Sequence, residues 1–295
     1  MKQLKPPADP ADVVLDTDAY NEIDDQYAIA YLLKNADKLH TKALYAAPFY
    51  YNGNSTSPAD GMERSYQEIH HLLQLMDLDG QYPVFRGSPD YLADEQTPQI
   101  SPAAQDLARR AMDYTPDAPL YVVAIGAITN VASALLLEPR IKDRIVVVWL
   151  GGHAHHWPHT KEFNMMQDVA AARVLFNSGC SLVQLPCQGI VSEFRISEPE
   201  LRHWLLGKNK LCTYLAQHTI DAVDYAVGQP WTRILWDVTA VAWLLGEFTR
   251  DRMLPRPIPE YDHTYTHDPD RHPFCYVYHI RRDALMHDLI EKLTK

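Results

Sequence analysis

Residues 13–25 read Val13-Val14-Leu15-Asp16-Thr17-Asp18-Ala19-Tyr20-Asn21-Glu22-Ile23-Asp24-Asp25, a short apolar run followed by a stretch rich in acids. Its short apolar run predicts a strand, and Asp16 and Asp18 share one side of that strand because side chains alternate. Asp24 and Asp25 then begin a segment whose apolar residues recur at helical spacing. The stretch therefore predicts a strand, a polar turn and a helix, with acids at both junctions.

Four aspartates, Asp16, Asp18, Asp24 and Asp25, lie within ten residues and would repel one another. A helix N-terminus stabilises a nearby anion by only about 0.3–1 kcal/mol, which is too little for such a cluster. A bound hard cation, Ca²⁺ or Mg²⁺, explains the cluster better, and zinc is disfavoured because the stretch has no histidine or cysteine. The competing interpretation is a helix cap with a solvated turn. The placement after a strand favours a ligand site, since open α/β sheets bind ligands at the carboxyl ends of their strands.

Composition limits the classes of protein that the chain can represent. Its 295 residues are 46% hydrophobic and 22% charged, which suits a single domain spanning residues 1–295. A net charge of −11 argues against nucleic-acid binding and against an anionic membrane surface. The first ten residues contain no apolar signal-peptide core, and no apolar run approaches the roughly 20 residues of a membrane span. A cytoplasmic protein is therefore expected.

Apolar runs along the chain predict an α/β fold. Residues 120–125, 145–150 and 181–185 are continuous apolar or nearly apolar segments, typical of parallel strands buried on both faces. Helices are predicted between them, and Ser57 and Ser101 each stand before a proline as a helix start does. A second strand is expected at 42–47 and a last one at 276–280. The pattern predicts a mostly parallel central sheet with helices on both faces.

Polar motifs follow several of these strands. They are, in chain order, Asn52 and Asn54 after the second strand, Gly126-Ala127-Ile128-Thr129-Asn130, Gly151-Gly152, Glu162-Phe163-Asn164, and Asp237 at the start of an apolar helix. Together with residues 13–25 and in this order, these motifs resemble the inosine–uridine-preferring nucleoside hydrolase family. The members of that family cleave the N-glycosidic bond of ribonucleosides with a tightly bound Ca²⁺. The resemblance spans residues 13 to about 245.

The resemblance implies a nucleoside hydrolase-like fold, a nucleoside substrate, bound Ca²⁺ and a homodimer or homotetramer. It also implies roles for individual residues. The implied metal ligands are Asp18, Asp25, Asp237 and the main-chain carbonyl of Thr129, with Asp18 also acting as the base that accepts a proton from water. The implied ribose ligands are Asp24, Asn52, Glu162 and Asn164, with Asn54 as the competitor of Asn52. Asp16 is expected to lie behind Asp18, the residue that accepts the proton, and to orient its side chain.

The sequence departs from the family at two places. Five residues, Ala19 to Ile23, separate the second and third acids where most members have three, and one of the five is another acid, Glu22. In addition, Trp236 stands before Asp237, where many members have a histidine that assists departure of the base. Two routes for the leaving base therefore stay open. Stacking could involve Trp157, Trp236 or Tyr51, and protonation could come from His155, His156 or His159.

Two other functions compete with a ribonucleoside hydrolase. One is a catalytically weak, calcium-dependent protein that binds a nucleoside or sugar, since Trp236 replaces the usual acid. The other is a phosphatase of the haloacid dehalogenase-like class, which also has Asp-x-Asp after its first strand. That class usually has threonine or valine two residues after the second acid, where this chain has Tyr20. The sequence does not identify the preferred base.

Overall fold

A computed structural model describes residues 4–50, 53–223 and 228–295. The strands are β1 (Ala11–Thr17), β2 (Leu39–Ala46), β3 (Val84–Arg86), β4 (Leu120–Ala124), β5 (Ile145–Leu150), β6 (Ser181–Leu185), β7 (Arg195–Ser197), β8 (Thr232–Ile234), β9 (Thr249–Pro255), β10 (Ile258–Pro259), β11 (Tyr265–Thr266) and β12 (Pro273–Ile280). The α-helices are α1 (Asp25–Lys34), α2 (Pro58–Leu75), α3 (Pro102–Arg110), α4 (Thr129–Leu137), α5 (Phe163–Gln167), α6 (Val169–Asn177), α7 (Glu198–Glu200), α8 (Lys210–Asp221), α9 (Val238–Leu244) and α10 (Arg282–Thr294).

Eight strands form one sheet in the order β3-β2-β1-β4-β5-β6-β12-β9. Every neighbouring pair is parallel except β12 and β9, which are antiparallel at one edge. The prediction of a mostly parallel sheet is therefore confirmed. Two smaller antiparallel pairs, β7 with β8 and β10 with β11, lie outside this sheet. The single domain over residues 1–295 stays a prediction.

Side-chain alternation along the strands divides the core into two layers. In β1, Val13 and Leu15 belong to a cluster with the apolar sides of α1, α2, α8, α9 and α10. Val14 points to the opposite face and joins α3, α4 and α6. Because both faces are covered by helices, the central strands are apolar at consecutive positions. The predicted helices on both faces are confirmed.

Helix starts follow local chemistry that the sequence displays. The Ser57 side chain accepts a hydrogen bond from the Asp60 amide at 3.1 Å, and Pro58 occupies the first turn of α2. Ser101 does the same for α3 by accepting from the Ala104 amide at 3.2 Å. A proline in the first turn loses nothing, because the amide there has no partner within the helix.

Three elements differ from the sequence prediction. The second strand begins at Leu39 rather than residue 42, and the last begins at Pro273 rather than residue 276. The sequence did not predict β9, because Arg250 and Arg252 alternate with less exposed residues and Pro255 ends the strand. Such charge and proline are typical of an edge strand, which presents unpaired backbone groups on one side.

No helix among the described residues is both long enough and apolar enough to cross a lipid bilayer.

Candidate active site

A cleft of about 410 Å³ opens at the carboxyl edge of the sheet. Of the ten residues predicted for the site, eight line it: Asp18, Asp24, Asp25, Trp157, Glu162, Asn164, Trp236 and Asp237. The ninth, Thr129, does not line the described part of the cleft, and the tenth, Asn52, lies outside the described residues together with Tyr51. The lining also includes Asn21, Glu22, Ile125, Leu150, His153, His159, Lys161, Phe163, Cys187 and Gln188.

The four aspartates of the opening stretch are buried, so they are not the acids of a solvated turn. Asp18, Asp24 and Asp25 are each at most 2% exposed. Asp24 occupies the position that caps α1, yet its side chain makes no capping hydrogen bond. Asp25 instead accepts a hydrogen bond from the Thr17 hydroxyl at 2.5 Å, and Asp24 accepts one from the Asp237 amide at 3.2 Å. The carboxylates are therefore directed into the cleft rather than toward the helix.

Three of these acids form a group with the geometry of a cation site. Asp24, Asp25 and Asp237 each offer a carboxylate oxygen, and the three oxygens lie within 4.8 Å of one another. Asp18 borders the same cleft, and one of its carboxylate oxygens is buried without a hydrogen-bond partner. An oxygen-only donor set with an unpartnered buried carboxylate fits a hard divalent cation.

Burial sets the electrostatics of this group. Burial, followed by repulsion from Glu22 and Asp25, raises the pKa of Asp24 to about 8. Burial also raises the pKa of Asp25 to about 7, although hydrogen bonds with Thr17 and Asp237 oppose the rise. The pKa values of Asp18 and Asp237 are raised by burial and by the neighbouring carboxylates. A divalent cation would remove this penalty, because an opposite charge favours the ionised form.

Asp16 lies behind the cleft and joins four segments of the chain. It is fully buried, and one of its oxygens accepts from the Asn130 side chain at 2.7 Å. The same amide group donates to the Ala46 carbonyl at 3.1 Å, while the Asn130 oxygen accepts from the Ser88 amide and hydroxyl at 2.7 and 2.8 Å. Burial raises the pKa of Asp16 to about 7. Asp16 thus lies in a buried hydrogen-bond network behind the cleft, and its expected role in orienting Asp18 stays a prediction.

The structure does not bring the Thr129 carbonyl to the cleft. Thr129 is the first residue of α4, and its hydroxyl donates to Asp168 at 2.7 Å. A carbonyl in the first helical turn points along the helix and accepts from the amide four residues later. It therefore points away from the helix start, where the cleft lies. The carbonyl of Ile125, just after β4, is a nearer oxygen, since Ile125 lines the cleft and this carbonyl accepts from Asn164 at 3.2 Å.

Glu162 and Asn164 fix the start of α5 against the ends of two strands. Glu162 accepts hydrogen bonds from the amides of Gly152, Asn164 and Met165 at 2.8 to 3.0 Å. Besides Ile125, the Asn164 side chain donates to the Leu150 carbonyl at 3.0 Å. Both side chains are 6% exposed and hold defined positions in the cleft wall. Asn54, in contrast, donates to the Asn21 carbonyl at 2.8 Å and does not line the cleft.

The histidine loop is arranged differently from the prediction. Of the three predicted histidines, only His159 lines the cleft. His155 points instead into a ring of aromatic side chains, and burial lowers its pKa to about 4. His156 is exposed and does not line the cleft either. The ring around His155 consists of Tyr265, His267, Phe274 and Tyr276.

His153 and Lys161 line the cleft, although the sequence did not point to either as a site residue. His153 follows Gly152, whose φ of +74° turns the chain after β5 and directs the next side chain inward. Its Nδ1 accepts the Gln188 amide at 3.2 Å. Burial, with the nearby His159, lowers the pKa of His153 to about 4, so this imidazole is neutral near pH 7. The signal was its position directly after the Gly-Gly pair.

The fold and the cleft define a doubly wound α/β protein with a carboxylate site suited to a hard cation. Residues 13–269 match the sequence profile described as inosine-uridine preferring nucleoside hydrolase, and the chain belongs to this family. The predicted resemblance is therefore confirmed. The dehalogenase-like alternative has no support from this match.

Individual relatives are more distant. The pyrimidine-specific ribonucleoside hydrolase RihA of Salmonella schwarzengrund (strain CVM19633) is 26% identical over 154 residues, which are 50% of this chain and 49% of that protein. The chain thus spans about half the length of the curated relatives it matches.

Two solved structures share the fold over nearly the whole chain. The plant nucleoside hydrolase PpNRh1 has a TM-score of 0.76 at 21% identity, covering 97% of this chain and 99% of that chain. The purine-preferring ribonucleoside hydrolase from Gardnerella vaginalis has a TM-score of 0.76 at 18% identity, covering 96% and 98%. The predicted nucleoside hydrolase-like fold is confirmed.

Proposed function

We propose that the chain hydrolyses the N-glycosidic bond of a ribonucleoside, or of a related N-riboside, to ribose and a free base. The observation that supports this most strongly is the buried group of Asp24, Asp25 and Asp237 beside Asp18, in a cleft large enough for a small ligand. Family membership supports the same reaction.

We infer that Ca²⁺ is the resident metal. Asp18, Asp25 and Asp237 are the proposed carboxylate ligands, and we propose the carbonyl of Ile125, which lines the cleft, rather than that of Thr129 as the main-chain ligand. Bound Ca²⁺ would lower the pKa of a coordinated water and so make it a nucleophile near neutral pH. Asp18 is the proposed base, because its unpartnered buried oxygen can accept the proton of that water.

The remaining cleft residues are proposed to hold the two halves of the substrate. Asp24, Asn52, Glu162 and Asn164 would bind ribose hydroxyls and favour an oxocarbenium-like ring. As water adds to the anomeric carbon, the bond to the base breaks and the base leaves with the bonding electrons. Trp157 and Trp236 are proposed to stack on the base.

The proton that the base needs has two candidate sources in the cleft, His159 and Lys161, besides solvent. His153 is a weaker proton donor because its pKa is lowered, but as a neutral imidazole it can donate a hydrogen bond from Nε2. The preferred base stays open, since one relative is titled pyrimidine-specific and another purine-preferring.

A turnover panel tests the proposal. Purified protein with added Ca²⁺ should release ribose from at least one purine or pyrimidine nucleoside, and from p-nitrophenyl riboside, whose leaving group needs no acid. Binding without hydrolysis of any of these would favour the second candidate, a calcium-dependent nucleoside-binding protein. That candidate is supported by Trp236 in place of an acid. Cytoplasmic location and a homodimer or homotetramer stay predictions.

A further inference from the structure

The turn between Asp18 and Asp24 carries an ion pair that reaches across the chain. Glu22, on this turn, accepts from the Arg233 guanidinium at 3.1 Å, over a sequence separation of 211 residues. Glu22 is 45% exposed and Arg233 is 23% exposed. Glu22 lies within the five-residue turn, Ala19 to Ile23, by which this chain departs from its family.

The two partners lie on the segments that deliver the proposed metal ligands. Glu22 is three residues before Asp25, and Arg233 lies in β8, four residues before Asp237. Strand β8 is itself anchored by antiparallel pairing with β7. The same two segments meet again inside the cleft, where the Asp237 amide donates to Asp24 at 3.2 Å. One ion pair at the rim and one hydrogen bond in the interior therefore connect the segments.

Repulsion acts against this convergence. The carboxylates of Asp18, Asp24, Asp25 and Asp237 are crowded, and Glu22 adds a fifth negative charge near three of them. Without an attractive contact between the two segments, this repulsion favours movement of the longer turn away from the segment that carries Asp237. Arg233 both offsets the charge of Glu22 and limits this movement.

We propose that Arg233 and Glu22 form a clamp that fixes the distance between the Asp24–Asp25 segment and Asp237, and thereby sets the affinity of the cleft for its divalent cation. Arg233 is a positioning residue in this proposal, because it acts through Glu22 and touches neither metal nor substrate. The clamp rests on the proposed function, since it presupposes the cation site.

The clamp and a purely electrostatic effect of Arg233 make opposite predictions for one variant. Arg233→Gln removes a positive charge near the site, so a purely electrostatic effect would tighten cation binding. The clamp predicts weaker binding, because the segments are no longer tied. An exposed ion pair contributes about 0.2–1 kcal/mol, so the dissociation constant for Ca²⁺ should rise by up to about fivefold.

The experiment is calorimetric titration of Ca²⁺ into protein stripped of metal by chelation and then freed of chelator. Variants are Arg233→Gln, Glu22→Gln and their combination. The clamp predicts that all three bind Ca²⁺ equally weakly, because each loses the same interaction. If charge alone operates, Glu22→Gln weakens binding, Arg233→Gln strengthens it, and the double variant returns to the wild-type value, which would overturn the clamp.

A matched control removes an arginine from an ion pair far from the cleft. Arg140 contacts Glu138 through two hydrogen bonds of 2.6 and 2.7 Å before β5, at the amino end of the sheet. Arg140→Gln should leave the dissociation constant unchanged. An effect equal to that of Arg233→Gln would mean that loss of any arginine weakens binding, and the clamp would be wrong.

Thermal unfolding in chelator checks that each variant folds. Should Arg233→Gln not fold, Arg233→Lys decides the question, because it keeps the charge and shortens the reach. The clamp predicts weaker Ca²⁺ binding for this variant, and charge alone predicts no change. If wild-type protein binds no divalent cation, the proposed function fails first and the clamp fails with it; wild-type binding with unchanged variants overturns the clamp alone.

Discussion

The two ends of the cleft are built in different ways. At the acid end, Asp18, Asp24, Asp25 and Asp237 lie just after a strand or at the start of a helix, and they are at most 4% exposed. At the other end, the aromatic and histidine side chains come mainly from the loop after β5, and Trp157 is 38% exposed. Regular elements thus fix the groups proposed for bond cleavage, whereas a loop presents the groups proposed for the base.

The difference suggests a division of labour. Strand ends and helix starts are fixed by the core beneath them, so the acid end can hold ionised groups at defined distances despite their repulsion. Loops change length and direction at little cost to the core. Two proteins similar to this chain are named for different bases, one as pyrimidine-specific and one as purine-preferring.

The largest effect is expected from removing a carboxylate at the acid end of the cleft. Asp25→Ala should abolish both Ca²⁺ binding and nucleoside turnover, because it removes one of three converging oxygens. Metal analysis of the purified variant and the turnover assay measure the two losses. Asp79→Ala, which removes an exposed carboxylate after α2, is the control and should retain both. A variant at Asp25 that keeps its metal would place the cation elsewhere.

The next effect separates metal binding from proton transfer. Asp18→Asn keeps a ligating oxygen but loses the carboxylate that accepts the proton. We expect kcat to fall by about 10²–10⁴-fold, the usual contribution of a general base, with KM changed little. Steady-state kinetics with saturating Ca²⁺ provide the measurement. Near-normal kcat would exclude Asp18 as the base; Asp16, which does not line the cleft, and Glu22, which is paired with Arg233, are poorer alternatives.

At the base end we expect smaller losses. Trp236→Ala should lower kcat/KM for a natural nucleoside by about 10- to 100-fold, because stacking of a base on an aromatic ring contributes about 1–3 kcal/mol. If stacking dominates, His159→Ala should lower kcat/KM for the same nucleoside by a smaller factor. If His159 is the acid instead, its loss should slow a natural nucleoside by about 10²-fold or more and leave p-nitrophenyl riboside nearly unaffected.

The histidine outside the cleft gives the control for this pair. His155→Ala should not change turnover of either substrate, since His155 lies among aromatic side chains away from the cleft. Equal and small effects of all three substitutions would mean that the base does not bind between Trp157 and Trp236.

The smallest effect is a pH trend in stability at the acid end. In metal-free protein the folded-state pKa is about 8 for Asp24 and about 7 for Asp25, whereas the ordinary value is 3.8. The folded state therefore binds more protons than the unfolded state between about pH 4 and pH 8. Since stability falls with pH wherever the folded state holds more protons, the metal-free protein should lose stability as pH rises through this window.

Denaturant unfolding between pH 5 and pH 8.5, in chelator and in saturating Ca²⁺, measures the trend. Calcium should stabilise the protein more at pH 8 than at pH 5, because the ions compensate carboxylates that are then ionised. A calcium effect that does not change with pH would contradict the raised pKa values.

Sequence reasoning succeeded where burial alone determined structure. Strand β5 was predicted with its observed ends because residues 145–150 are apolar at consecutive positions, which only a strand covered on both faces explains. The acids of residues 13–25 were found for a similar reason, since unpaired carboxylates at a strand end need a partner. Strand β9 was not predicted because it lies at the edge of the sheet and its charged side chains give no apolar run, although its backbone pairs with β12.

The structure differs from the sequence-based expectation for the site where the outcome depends on the direction of a backbone carbonyl or of a side chain. Residue identity does not reveal that Thr129 begins α4 outside the cleft lining, while Ile125 lines the cleft and its carbonyl accepts from Asn164. Nor does it reveal that His155 turns toward the aromatic ring while His153 turns inward after Gly152. Both outcomes follow from the path of the backbone over one or two residues, and tertiary contacts determine that path.

The position of β12 has a consequence for how the chain is made. Pro273–Ile280 lies between β6 and β9, although both of those strands precede it in sequence. During synthesis β6 therefore keeps an open edge, and β9 has no neighbour in the sheet, until residues 273–280 are available. Open edges are templates for pairing between molecules, and partly made chains are prone to aggregate. A ribosome that stalls before residue 273 would release a nascent chain with the edge of β6 exposed, whereas eight further residues fill the gap between β6 and β9.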